Sequence, residues 1–173
     1  MKHKPTLHTL VLVRHASAAS AGADGSDASR PLSPQGLHEA QALGRFLGRI
    51  KLRVDAVICS PAERAARTAQ AVVEAAGLHV KPKAVDAAYN ASAPALLELV
   101  RQAPASARRL MLVAHFPGVA DLASLLCAQG GTLSLACPAA TLAVITAELG
   151  SWHALQPQAG VLQWLLPVAL LEP

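Results

Sequence analysis

Two stretches in widely separated parts of the chain follow one plan. Leu10-Val11-Leu12-Val13-Arg14-His15 and Leu110-Met111-Leu112-Val113-Ala114-His115 each run through consecutive apolar residues and end in histidine. Apolar runs this short and unbroken suit strands buried on both faces, which occur where helices cover both sides of a parallel sheet. The intervening punctuation agrees. A strand is expected over 8–13, followed by a small, polar, Gly-containing loop from Ala16 to Arg30. Ser33-Pro34 is a helix start, with Ser at the N-cap and Pro in the first turn, and that helix should run to Arg49. A strand over 54–59, a helix opened by Pro61 and closed by Gly77, and a short strand over 79–83 follow. A helix from about Pro94 to Gln102, with Ser92 as its cap, leads into the strand 110–114. Pro117 opens a helix to about Ala128, stopped by Gly130-Gly131, and strands over 141–146 and 162–166 complete the chain. Strands alternating with helices predict an α/β three-layer sandwich with a largely parallel central sheet flanked by helices. No internal linker divides residues 1–173, so one domain is expected, with residues 1–7 frayed.

Composition narrows the function. Hydrophobic residues make up 53% of the 173 and charged residues 15%, which excludes a disordered chain. Aromatics are only 3%, too few for a base-stacking platform, so no nucleic-acid partner is expected. Cys59, Cys127 and Cys137 show neither zinc-ligand spacing nor an even disulfide set, and read as small buried thiols. All 15 Lys and Arg lie before Leu110. A basic front portion of this kind fits an anion site with ordinary solvated helices around it. The uncharged stretch Leu122–Ala147 is interrupted by Gly130-Gly131 and Pro138, so no membrane span is expected. Leu10–Val13 is too short for a signal-peptide core, and a cytoplasmic protein is expected.

The chemistry concentrates at strand ends. Ligands of open parallel sheets bind in the crevice beyond the carboxyl ends of the strands. His15 and His115 would share that crevice if their strands are neighbours, with Arg14 beside them. A third strand delivers Ser60-Pro61 and then Arg64 on the first turn of the next helix. Two imidazoles and two guanidiniums converging on one crevice describe an anion site, because guanidinium forks match anionic oxygens in paired hydrogen bonds. No G-x-x-x-x-G-K-[ST] loop occurs, which excludes a P-loop nucleotidase.

The ordered set Arg14-His15-Ala16, Arg30-Pro31-Leu32-Ser33-Pro34-Gln35-Gly36, Ser60-Pro61-Ala62-Glu63-Arg64-Ala65-Ala66-Arg67-Thr68-Ala69, Tyr89-Asn90-Ala91-Ser92 and His115-Phe116-Pro117-Gly118 resembles the histidine phosphatase superfamily. It is closest to the small phosphohistidine phosphatases of the SixA-like group. Ser151-Trp152 also fits. The resemblance implies a phosphoglycerate-mutase-like fold and a histidine-nucleophile phosphatase without cofactor or metal. It implies His15 as the transiently phosphorylated nucleophile, with Arg14, Arg64 and His115 completing the phosphate pocket. His15 must attack through a neutral ring nitrogen, so its other nitrogen should be held by a backbone carbonyl. His115, if protonated, would add charge where the transition state needs it, and Ser17 could donate to a phosphate oxygen.

Departures from the family pattern carry their own expectations. Ala16 stands where many relatives have Gly and requires a negative φ. Phe116 stands where relatives often have Asn, removing a polar contact beside His115. The superfamily's usual acid is a Glu between the second and third helices. Asp86 is the only carboxylate between Glu74 and Glu98, with Asp121 as the second candidate, and either could instead be a solvated or capping residue. A weak or missing acid favours a phosphorylated imidazole over an alkyl phosphate, since the imidazole is itself protonatable and leaves readily. Arg67 and Thr68 read as surface and packing positions, His38, His79 and His153 as bystanders, and His3 and His8 as part of the frayed entry.

The sequence thus predicts a phosphatase acting on a protein phosphohistidine domain. The alternatives are a phosphatase of small phosphorylated metabolites, esters or anhydrides, and a non-catalytic phosphate- or RNA-binding module. The expected state is a monomer or weak dimer.

Overall fold

The computed structural model describes residues 4–171. Its centre is one six-stranded sheet, built from β1 (Thr6–Arg14), β2 (Ala56–Cys59), β3 (Pro82–Ala84), β4 (Arg109–Ala114), β5 (Thr141–Leu149) and β6 (Val161–Pro167). The order is β3-β2-β4-β1-β5-β6. The first four strands in that order are parallel, and β5 and β6 run antiparallel to their neighbours. The two look-alike segments are adjacent strands. Leu10 sits beside Leu110, Val13 beside Val113 and Arg14 beside Ala114, so both histidines leave the sheet at the same level.

Four helices cover the two faces: α1 (Pro34–Arg49), α2 (Glu63–Ala75), α3 (Ala93–Arg101) and α4 (Gly118–Cys127). Side chains alternate between faces along each strand, and this divides the core. Leu10, Leu12, Leu110 and Leu112 pack with Leu96, Leu97, Leu122 and Leu126 of α3 and α4. Val11, Val13, Met111 and Val113 pack with Leu43, Leu47, Ala69 and Val72 of α1 and α2. Within that layer α1 and α2 pack closely on each other at Gly44, where a Cβ would fall 2.6 Å from the Val72 carbonyl oxygen.

Element boundaries follow local chemistry. Ser33 caps α1, its Oγ accepting from Gly36 N at 3.0 Å with Pro34 in the first turn. Gly77 follows α2 with φ +64, as a helix-ending glycine does. Helix α2 begins at Glu63, later than Pro61 suggested. Ser92 occupies the N-cap of α3 without a side-chain capping bond. β2 starts at Ala56 because Asp55 diverts the chain: its Oδ2 accepts from Arg108 N and Arg109 N at 3.0 and 2.9 Å.

The entry to the chain differs from expectation. Residues 1–3, His3 among them, lie outside the described residues, but Thr6 and Leu7 already pair with Leu149 and Glu148 in β1. His8 is buried, its ring edge-on to Trp152 with centroids 5.0 Å apart. The long partner strand β5 supplies the ladder that orders this segment. Among the described residues no helix is long and apolar enough to cross a membrane.

Candidate active site

The carboxyl ends of β1, β4 and β2 deliver His15, His115 and Ser60 to one place. Backbone bonds fix the exits: His15 N donates to Ala114 O at 3.0 Å and Ser60 N to Val113 O at 3.0 Å. The His15 and His115 rings meet edge-on, centroids 5.1 Å apart. The first turn of α2 adds Arg64, only 4% exposed. Its Nε donates to His15 Nε2 at 3.2 Å, and its Nη2 lies 3.4 Å from His115 Nδ1.

These contacts assign the tautomers. A guanidinium only donates, so His15 Nε2 and His115 Nδ1 are lone-pair nitrogens. His15 Nδ1 therefore carries its proton toward Ala16 O at 2.8 Å, the backbone anchor expected from the sequence. His115 Nε2 donates to Ser60 Oγ at 2.7 Å. Both histidines are held neutral, with pKa values lowered to about 4. Burial is the main cause for each; the facing His15 and Arg64 add to it for His115, and Arg64 and Arg14 for His15. The free site therefore holds a neutral His115 rather than the protonated one the sequence allows, because desolvation beside the arginines disfavours a positive ring.

Arg14 lies along the same edge. Its Nη1 donates to Cys137 O at 2.6 Å, while its buried Nε has no partner among the described residues. The guanidinium carbon sits 5.3 Å from the centre of the Phe116 ring. Ala16 is fully buried and absent from the positive-φ positions, as its replacement of Gly requires. Thr68 does more than pack: its Oγ1 accepts from Ala16 N at 3.0 Å and donates to Arg64 O, tying the turn after His15 to α2.

The sequence reading of Ser17 is corrected. Its hydroxyl donates to Glu39 Oε1 at 2.9 Å, and its N–H donates to Glu39 Oε2 at 2.9 Å. The buried Glu39 therefore holds the loop after His15 to α1, and Ser17 belongs to that clamp. Gly36 serves the same junction, since a Cβ there would fall 1.8 Å from the Ser17 carbonyl oxygen. Asp86 and Asp121 are both exposed, and neither carboxylate bonds to His15, His115, Arg14 or Arg64.

The carboxylate that does reach the crevice is Asp27, from the loop read only as connection. Its Oδ2 accepts from Arg64 Nη2 at 2.8 Å and from the Tyr89 hydroxyl at 2.8 Å. Its Oδ1 accepts from Arg30 Nη1 at 2.9 Å, and its backbone oxygen accepts from Arg64 Nη1 at 2.5 Å. The Tyr89, Arg64 and Arg30 bonds hold this carboxyl far below the usual carboxylate range. The only sequence signal was Asp27 three residues before the motif residue Arg30, too common a spacing to single it out. Among the described residues no group of three or more His, Cys, Asp or Glu could hold a metal ion.

A neutral imidazole with a lone-pair nitrogen, two guanidiniums and a second imidazole gathered at adjacent strand ends have the chemistry a phosphoryl-transfer site needs. Comparison with known proteins agrees. Residues 10–85 match the histidine phosphatase superfamily, branch 1. An uncharacterized protein of Mycobacterium tuberculosis is 31% identical over 153 residues, 84% of this chain and 92% of its own. The solved SixA protein of Nakamurella multipartitia, provisionally named a phosphohistidine phosphatase, is 28% identical with a TM-score of 0.78, covering 95% of this chain and 98% of that one. The protein histidine phosphatase SixA solved with tungstate shares the fold at a TM-score of 0.72 and 21% identity, over 95% of this chain and 99% of that one. The chain belongs to the histidine phosphatase superfamily, in its SixA-like group. It is accordingly a histidine-nucleophile phosphatase.

Proposed function

We propose that this phosphatase hydrolyses protein phosphohistidine through a covalent intermediate on His15. The observation that carries the substrate choice is the state of the carboxylates. Asp27, the one that reaches the pocket, is locked as an anion by Tyr89, Arg64 and Arg30, and Asp86 and Asp121 stand away in solvent. None of these three carboxyl groups is therefore positioned to protonate an alkoxide. A phosphorylated imidazole needs none, because it can be protonated at its own second nitrogen and depart as a neutral ring.

In the first transfer the His15 Nε2 lone pair forms the bond to phosphorus while the substrate N–P bond breaks, its electron pair leaving with the substrate imidazole. Ala16 O supports the cationic phosphorylated ring through Nδ1–H. Arg14, Arg64 and His115 take the phosphoryl oxygens, with Arg64 exchanging its His15 and Asp27 bonds for them. In the second transfer water attacks phosphorus, the His15 N–P bond breaks, and the water proton passes to phosphate and solvent.

Quenching with a labelled phosphohistidine protein should trap label on His15, and His15→Ala should lose both label and turnover. A panel of small phosphates should be turned over more slowly than the phosphoprotein. Label on another residue overturns the nucleophile, and a strong preference for the small compounds overturns the substrate.

A further inference from the structure

The chain has five aromatic residues of the Phe, Trp and Tyr types, and two of them stand against the histidine and arginine cluster. Tyr89 is its sole tyrosine, and its ring lies edge-on to His115 with centroids 5.4 Å apart. Phe116 follows His115 directly, lies over the Arg14 guanidinium at 5.3 Å, and is 52% exposed. The two are fixed relative to each other. Gly118, two residues after Phe116, is pressed onto the turn that follows Tyr89, so closely that a Cβ would fall 2.1 Å from the Ala91 carbonyl oxygen. Asp27 holds the Tyr89 hydroxyl from the other side.

We infer that Phe116, exposed against the Arg14 guanidinium beside His115, is a specificity-determining residue that packs against a planar leaving group attached to the phosphate. This rests on the phosphohistidine reading and gives it a physical basis. A large ring kept half in water beside a charged pocket loses apolar exposure when a flat group enters. The phosphate oxygens engage Arg14, Arg64 and His115, while the imidazole that carries the phosphate lies along the Phe116 face. A polyhydroxylated or short acyl group would gain nothing from that surface.

The test compares wild type, Phe116→Ala and Phe116→Tyr on three substrates: a phosphohistidine protein, 4-nitrophenyl phosphate and acetyl phosphate. Phe116→Ala should lower kcat/KM for the two planar leaving groups about tenfold more than for acetyl phosphate, the size expected of one aromatic contact. The excess should appear mainly in KM, and Phe116→Tyr should restore it. Equal losses on all three substrates would mean that Phe116 only props Arg14, and no selective loss would mean that it touches no substrate. Either result overturns the inference. If the phosphohistidine protein is not turned over but 4-nitrophenyl phosphate still shows the selective loss, the phosphohistidine reading fails and the Phe116 contact stands.

Discussion

Arg64 donates through Nε to His15 Nε2 at 3.2 Å, so the nitrogen proposed as nucleophile is, in the free site, the acceptor of a buried guanidinium. The contact holds His15 in the tautomer that the proposed attack requires and holds Arg64 beside the atom to which phosphate would be transferred. Arg64→Lys retains the charge but loses the planar fork that addresses His15, Asp27 and His115 together. It should lower kcat/KM by about 10² to 10³, the usual cost of one positioned transition-state donor. Steady-state kinetics with a phosphohistidine protein checks this, and near-normal activity would show that charge alone suffices.

Asp27 acts through Arg64. It takes both terminal nitrogens of that guanidinium and the Tyr89 hydroxyl, while remaining too firmly ionised to serve as a proton donor. Asp27→Asn keeps the shape and removes the charge, and should cost about tenfold or more in kcat/KM through misplacement of Arg64, as for a charged hydrogen bond. The pH profile should keep its form, because no acid is removed. Loss of one limb of the profile in Asp27→Asn would instead make it the general acid.

The legible part of this molecule was what strands and caps encode. The Leu10–His15 and Leu110–His115 runs announce buried strands, whose adjacency only the sheet order supplies, and Ser33-Pro34 announces the first residue of α1. The histidine and arginine constellation was legible because strand ends fix where side chains emerge. Asp27, Glu39 and Thr68 were not, since each acts through a tertiary contact made by a loop or helix face that leaves no periodic trace. The place of Ser17 is hidden for the same reason: adjacency to His15 in sequence says nothing about Glu39, 22 positions on, which takes its hydroxyl. Thr6, Leu7 and His8 were assigned to a frayed end because their order comes from β5, at the far end of the chain.

The glycines of the site test packing rather than chemistry. Gly118 has no room for a side chain against Ala91 O, and the obstruction is backbone. Gly118→Ala should destabilise the fold by about 1–3 kcal/mol, as overpacking does, and move the Tyr89 turn away from His115. Chemical denaturation measures the first effect, and a rise in KM reports the second.

The two histidines make stability depend on pH in a defined direction. Their folded pKa values lie at about 4, below the ordinary value of about 6.5 in an unfolded chain. Between these limits the unfolded chain binds more protons, so their contribution to stability is full above about pH 6.5 and falls as pH drops toward 4. Denaturation midpoints at pH 7.5 and 5 should therefore diverge more in wild type than in a His15→Ala, His115→Ala double variant. In an NMR titration neither imidazole should protonate above about pH 5, unlike a free histidine; midpoints near 6.5 would contradict the burial argument.

Asp86 and Asp121 decide whether the pocket works without a carboxylic acid. Asp86 is an exposed residue of the single-turn helix before Tyr89, and Asp121 is an exposed residue in the first turn of α4. Neither side chain bonds to a pocket residue, and a general acid must come within hydrogen-bond reach of the atom it protonates. Asp86→Asn and Asp121→Asn should each retain kcat/KM within about twofold on a phosphohistidine protein, where even a modest acid contribution would be worth about 10². The same variants should be equally silent on an alkyl phosphate, which the wild type should turn over poorly for want of that proton. A large selective loss on the alkyl phosphate in either variant would identify the missing acid, and with it would remove the chemical reason for preferring an imidazole leaving group.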